Sequence, residues 1–126
     1  MFGNKQEKAA QDAAARAEAD RLVALPVAEL AAAIMPVFGP NGAPTTGGRR
    51  IGALQVANWL MSSQPRGASH LKELLGPVRE GVQALENAGL VMRTPLGEGS
   101  FSLNATRTGE AALADGSVRQ HLGLPG

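Results

Sequence analysis

Residues 77–113, PVREGVQALENAGLVMRTPLGEGSFSLNATRTGEAAL, decide the fold because the spacing of their apolar residues changes part-way along. Val78, Val82 and Leu85 recur at the helical interval, and Gly89 supplies a C-terminal stop. Pro77 is a favourable first-turn residue, so a helix is predicted from there to about residue 88. Beyond Gly89 the spacing becomes that of β-strands.

These strands are predicted to form a hairpin. Residues 90–94 read as the first strand, and the glycine-rich residues 95–99 read as the turn. In the second strand Phe101, Leu103 and Ala105 alternate with polar residues, which predicts one buried face. A strand of this kind covers a core on one side only.

Shorter helices flank this stretch. Ser69 is positioned to cap a helix that Gly76 ends, so that a tight turn separates it from the helix beginning at Pro77. Thr108 is positioned to cap a last helix that Gly116 ends. Further upstream, residues 49–62 are apolar over most of a helical circumference, which predicts a helix in the centre of the core.

The N-terminal part has a different composition. Residues 5–24 are alanine-rich with opposite charges four apart, which favours a helix, but alanine buries little area. This helix is either a solvated arm or a close-packed dimer element, and a second helix is predicted at 26–35. The chain thus divides into an N-terminal helical arm with possible dimerisation helices (1–38), a flexible Gly/Pro linker (39–48), a main domain (49–122) and a tail (123–126).

The predicted fold class is mainly α with a small β-hairpin. The element order from residue 49 is helix, short helix, turn, helix, hairpin and short helix, which is the order of a winged helix-turn-helix domain, here with an N-terminal helical extension. Two short segments, VREGVQALENAGLVMR and ATRTGEAAL, also resemble MarR-like and PadR-like bacterial transcriptional regulators. The residues that carry this resemblance are Leu85, Glu86, Gly89, Leu90, Thr106 and Gly109.

The resemblance implies a regulator that binds double-stranded DNA through helix 77–88 and a wing at 90–106. Within that helix Arg79 would contact a guanine edge or a phosphate, Gln83 an adenine and Glu80 a cytosine amine. The remaining candidates would contact the phosphate backbone. They are Ser69 and Lys72 before the helix, and Arg93 and Arg107 beside the wing.

Composition and residue spacing argue against a membrane protein, a secreted protein and an enzyme. The chain has 126 residues, no Cys, a net charge of +1 and no apolar stretch long enough for a signal peptide or membrane span, so we expect a cytoplasmic protein. From residue 45 to residue 107 there are seven Lys or Arg against four Glu. No spacing of His and carboxylates suggests a catalytic, metal or cofactor site, so we expect no enzyme activity and no cofactor.

Two interpretations remain. One is a homodimeric DNA-binding regulator, because one recognition helix reads only a few base pairs and two-fold pairing supplies affinity. The other is a winged-helix module that binds a protein partner and does not bind DNA by itself. The near-neutral charge and Glu98 at the predicted wing tip favour the second interpretation.

Overall fold

The computed structural model describes residues 4–40, 42 and 51–125. This part of the chain is mainly helical with one small antiparallel hairpin, which confirms the predicted class. Most of the predicted linker, with Arg49 and Arg50, lies outside the described residues. The elements in chain order are α1 (Asn4–Ala24), α2 (Val27–Ile34), a 3-10 turn (Met35–Phe38), α3 (Ala53–Leu60), a second 3-10 turn (Gly67–His70), α4 (Leu71–Asn87), β1 (Val91–Gly97), β2 (Ser100–Ala105), α5 (Arg107–Asp115) and α6 (Val118–His121).

Helices α2 and α4 form the centre of the core. Ile34 of α2 and Val78 and Leu85 of α4 are fully buried. The two helices approach closely because α4 has a glycine at the crossing: a Cβ added to Gly81 would lie 2.7 Å from Cδ1 of Ile34. Close approach lets the apolar side chains interdigitate at the density typical of protein interiors.

Helix α4 is continuous from Leu71 to Asn87, so the prediction of two helices separated by a turn was wrong. Pro77 lies inside the helix and removes one backbone hydrogen bond, the one to the carbonyl of Glu73. Glu73 is exposed near the start of α4, where solvent can hydrate that carbonyl. Ser69 is not an N-cap either, since it belongs to the 3-10 turn and its side chain makes no capping hydrogen bond.

Helix α3 is shorter and less buried than the predicted central helix at 49–62. It begins at Ala53 and ends at Leu60, and Val56 and Ala57 are its buried residues. Leu54 is 52% exposed. The centre of the core is occupied by α2 and α4, so α3 packs one face on α4 and leaves its other face outside.

Strands β1 and β2 form the predicted hairpin, with a two-residue turn. Gly97 pairs with Ser100, and the central residues Glu98 and Gly99 have φ values of 52° and 79°. Two positive φ values are typical of the type I′ turn, which matches the twist of a hairpin. Pro95 lies in β1, just before a register irregularity.

The buried face of β2 differs from the prediction. Ser102 and Leu103 are buried, whereas Phe101 is 38% exposed. The reason is Ile51, which lies along the outer edge of β2: its N–H donates to Oγ of Ser102 (3.0 Å), and its carbonyl accepts from the N–H of Leu103 (2.9 Å). Ser102 is buried by its contact with Ile51, and Leu103 packs into the core from the other face of the strand, so simple alternation does not describe the burial of β2.

Helix α5 is capped by Thr106 and not, as predicted, by Thr108. The Thr106 hydroxyl accepts from the N–H of Gly109 (2.9 Å) and donates to the carbonyl of Gly89 (2.6 Å). The same side chain therefore caps α5 and ties it to the turn after α4. Gly89 and Gly116 both have positive φ and end α4 and α5, as predicted.

Helix α1 packs against the rest of the molecule despite its small side chains. Ala15, Ala19 and Leu22 are buried in the same core, facing the second 3-10 turn and α4. Nε of Arg66 donates to Oδ1 of Asp12 at 2.8 Å, which adds a polar contact beside the alanines. The sequence predicted weak packing of this helix, whereas the structure packs it against other elements of the same chain. A role in dimerisation stays a prediction.

The C-terminal segment is tied back to α2. The Arg119 guanidinium donates two hydrogen bonds to the Glu29 carboxylate (2.8 and 3.0 Å) and one to the carbonyl of Pro125 (3.0 Å).

No helix among residues 4–40 and 51–125 combines the length and apolarity that crossing a bilayer requires.

Candidate nucleic-acid interface

One outward face of α4 is available to a ligand. Its inner face is buried, and Lys72, Arg79 and Gln83 are exposed on the opposite side. At 3.6 residues per turn, Lys72 and Arg79 lie within about 20° of each other around the helix and about 10 Å apart along it. Between them Gly76 leaves open space, since a Cβ there would meet nothing within 4 Å. A ligand can therefore approach the helix backbone closely at Gly76.

A cleft of about 360 Å³ lies between α4, the hairpin and the start of α3. Three of the predicted contact residues, Arg79, Gln83 and Arg93, come together at this cleft. Its remaining lining is largely apolar and was not predicted as part of a site. The residues that complete the cleft are Gly52, Ala53, Val82, Phe101 and Leu103.

Arg93 reaches the cleft from β1 and is held by two neighbours. Its Nε donates to Oε1 of Glu86 on α4 at 2.9 Å, and its Cζ lies 4.7 Å from the centre of the Phe101 ring. The ring face attracts the cation and the carboxylate neutralises it. The guanidinium therefore has a defined position across the gap between helix and hairpin.

Gln83 is also engaged within the protein. Its Nε2 donates to Oδ1 of Asn87, four residues further along α4, at 3.0 Å. Arg79 differs, because within the described residues its side chain makes no ion pair and no hydrogen bond. Arg79 is thus the cleft residue whose charge is available without breaking an internal contact.

The other predicted contacts lie outside the cleft. Glu80 is exposed on α4, about 100° around the helix from Arg79. Arg107 begins α5, beyond the base of the hairpin, so the structure separates it from Arg93. Lys72 and Arg107 form no ion pair with any residue in the described ranges.

Ser69 lies near α1. It borders an open depression of charged residues from α1 and the second 3-10 turn, which includes Asp12, Arg16 and His70. Nδ1 of His70 is buried and, among the described residues, has no hydrogen-bond partner; Oε1 of Glu73 is 3.6 Å away. Ser69 therefore does not share the surface that Arg79 and Arg93 form.

Two kinds of site residue escaped sequence reasoning. Phe101 was assigned to the core by alternation, although its pairing opposite Pro95, two residues from Arg93, follows from the hairpin register. Glu86 and Arg93 are seven residues apart across a turn, and no periodicity links a helix end to the strand after it. In the described part of the chain, no group of three or more acidic or histidine side chains is arranged to hold a metal ion.

Comparisons with protein-family models, with curated proteins and with solved structures gave no match to this chain. No relative therefore supplies a ligand or a role for this surface.

Proposed function

We propose that this chain is a DNA-binding transcriptional regulator with a winged helix-turn-helix domain. Because the predicted short helix and recognition helix form one continuous helix, α3 takes the place of the first helix of the motif in this proposal. Helix α4 is then the recognition helix and the β1–β2 hairpin is the wing. An α-helix with its side chains is about 10 to 12 Å wide, which matches the major groove. A cytoplasmic homodimer completes the proposal, since a second copy would supply a second half-site.

The observation that carries this proposal is the exposed face of α4 beside a hairpin cation. Arg79 and Gln83 project from a helix whose opposite face is the core, and Arg93 stands at the same cleft. Arg and Gln are the side chains that read guanine and adenine edges in bidentate fashion. Lys72 lies on the same face of α4, about two turns before Arg79, where it is placed to contact a phosphate.

The test is Arg79→Ala, measured by fluorescence anisotropy with a labelled random-sequence duplex at low and at physiological salt. The parent is expected to bind with an affinity that falls steeply with salt. Loss of the Arg79 contact is expected to cost about 1 to 3 kcal/mol, or about 5- to 150-fold in affinity. The matched control is Arg16→Ala, which removes the same charge from an exposed position on α1. Equal binding by Arg79→Ala and the parent would rule out α4 as the interface.

A second candidate function is protein binding through the hairpin. Met92 and Leu96 of β1 are half exposed, and Phe101 of β2 adds a partly exposed ring. Large apolar side chains that stay exposed on one short element are a feature of surfaces that bind proteins. This function predicts that the parent fails to bind duplex even at low salt. It also predicts a partner whose binding is lost in Leu96→Ser while the far-UV circular dichroism stays that of the parent.

A further inference from the structure

The last turn of α4 engages both of the polar groups that share the cleft with Arg79. Glu86 accepts from Arg93, and Asn87 accepts from Gln83. The Glu86 contact has the larger electrostatic consequence because it joins opposite charges. The Glu86 side chain is 19% exposed and that of Arg93 is 46% exposed, so the carboxylate lies deeper and the cation nearer to a ligand.

The hydrogen bond to Glu86 uses only Nε of Arg93. The two terminal nitrogens of the guanidinium make no hydrogen bond to the described part of the chain, and they are the groups that a phosphate would contact. The geometry for a phosphate contact is therefore present, but the charge that would drive it is compensated. A phosphate that approaches Arg93 meets a pair with no net charge and a carboxylate directly behind it.

Phe101 gives Arg93 a second support besides the carboxylate. Its ring lies against the Arg93 guanidinium, so the side chain keeps a second support if the ion pair is weakened. A glutamine at position 86 would also retain an oxygen that accepts from Nε. The charge of Glu86 can therefore be removed without removing the position of Arg93.

We propose that Glu86 limits the affinity of this surface for nucleic acid by neutralising Arg93. The hairpin then holds a guanidinium in position for a phosphate but adds little net positive charge to the surface. This inference rests on the proposed function and concerns the regulation of the same site. Glu86 is then an electrostatic competitor that opposes the binding of phosphate to Arg93. Binding would then depend chiefly on Arg79 and Lys72, and Arg93 would contribute only when Glu86 is uncharged.

The experiment compares Glu86→Gln with the parent in the same duplex titration, over a range of salt concentrations. Each phosphate contact contributes about 0.9 to the slope of log affinity against log salt. Glu86→Gln is expected to bind more tightly at low salt and to steepen the slope by about one. Between about 50 and about 200 mM salt, that is an additional loss of about fourfold. Glu110→Gln, which removes an exposed carboxylate on α5, is the charge-matched control and is expected to leave the slope unchanged.

Arg93→Ala in both backgrounds completes the cycle. It is expected to change the affinity little in the parent and to abolish the gain in Glu86→Gln. Unchanged or weaker binding by Glu86→Gln, with a folded protein by circular dichroism, would overturn the competitor role. A gain that persists in the double variant would overturn it as well. Absence of duplex binding by the parent at low salt would instead refute the proposed function, so the two failures are distinguishable.

Discussion

Helices α1 and α2 both pack against α4, but with different surfaces. Helix α2 contributes Leu30 and Ile34, which meet α4 around Gly81. Helix α1 contributes Ala15 and Ala19, which are just as completely buried but remove much less apolar area from water per residue. Full burial and strong stabilisation are therefore separate properties, and the two helices are expected to respond differently to substitution.

The largest effect is expected on the α2 side. Ile34→Ala would remove a fully buried side chain from the crossing of α2 and α4 and leave a cavity, with an expected cost of about 2 to 5 kcal/mol in the free energy of unfolding. Urea denaturation at constant m-value measures it. Val27→Ala, at an exposed position of the same helix, is the control and is expected to change stability by less than about 0.5 kcal/mol. Similar losses for both variants would contradict the packing described for α2.

On the α1 side the expected sensitivity is to added volume. Ala19→Leu would place three extra carbons in a contact that fits only a methyl group, at a cost of about 1 to 3 kcal/mol. Ala14→Leu is the matched control, because Ala14 is exposed on the same helix and leucine is nearly as good a helix former as alanine. Amide hydrogen exchange would show where the loss falls, with faster exchange in α1 than in α2. A stabilising Ala19→Leu would mean that α1 has room against the core.

Local requirements of the backbone could be predicted from the sequence, whereas the distance between packed surfaces could not. Gly89, Gly116 and the glycines at 97 and 99 marked element ends correctly, because a positive φ is a local requirement that few other residues meet. The α1 contact was underestimated, since the area of an alanine does not reveal how closely another surface approaches it. Pro77 was read as a helix start, although a helix tolerates it where the freed carbonyl stays solvated.

The candidate site was predictable in part for the same reason. The outward position of Arg79 and Gln83 on α4 follows from helical periodicity, which is local. The partners of Arg93 do not follow from it, because Glu86 and Phe101 reach it from two other elements. Arg107 was placed beside the hairpin by its sequence position, but Thr106 caps α5, so Arg107 belongs to the first turn of that helix.

The smallest effect is expected from the ion pair that joins α2 to the C-terminal segment. The hydrogen bonds from Arg119 hold the pKa of Glu29 below its usual value, so the folded state favours the charged carboxylate. This contribution is present above the usual carboxyl pKa range and is lost as the pH falls through the lowered pKa. Glu29→Gln is therefore expected to be slightly less stable than the parent near neutral pH, with the difference disappearing in acid. Denaturation curves at both pH values check this, and a difference that grows in acid would contradict the pairing.

Pro95 has a consequence for how the protein behaves in concentrated solution. The N–H of Leu103 points to Ile51 and therefore away from β1, and Leu103 pairs with Arg93. In an antiparallel pair, the backbone N–H and C=O groups of Arg93, and those at the alternate positions Val91 and Pro95, then point away from β2. At Pro95 that outer edge has no N–H to offer, and the register irregularity beside it distorts the edge further. A strand from another molecule would find an interrupted row of donors. The hairpin thus carries its own protection against edge-to-edge aggregation, even with Met92 and Leu96 exposed.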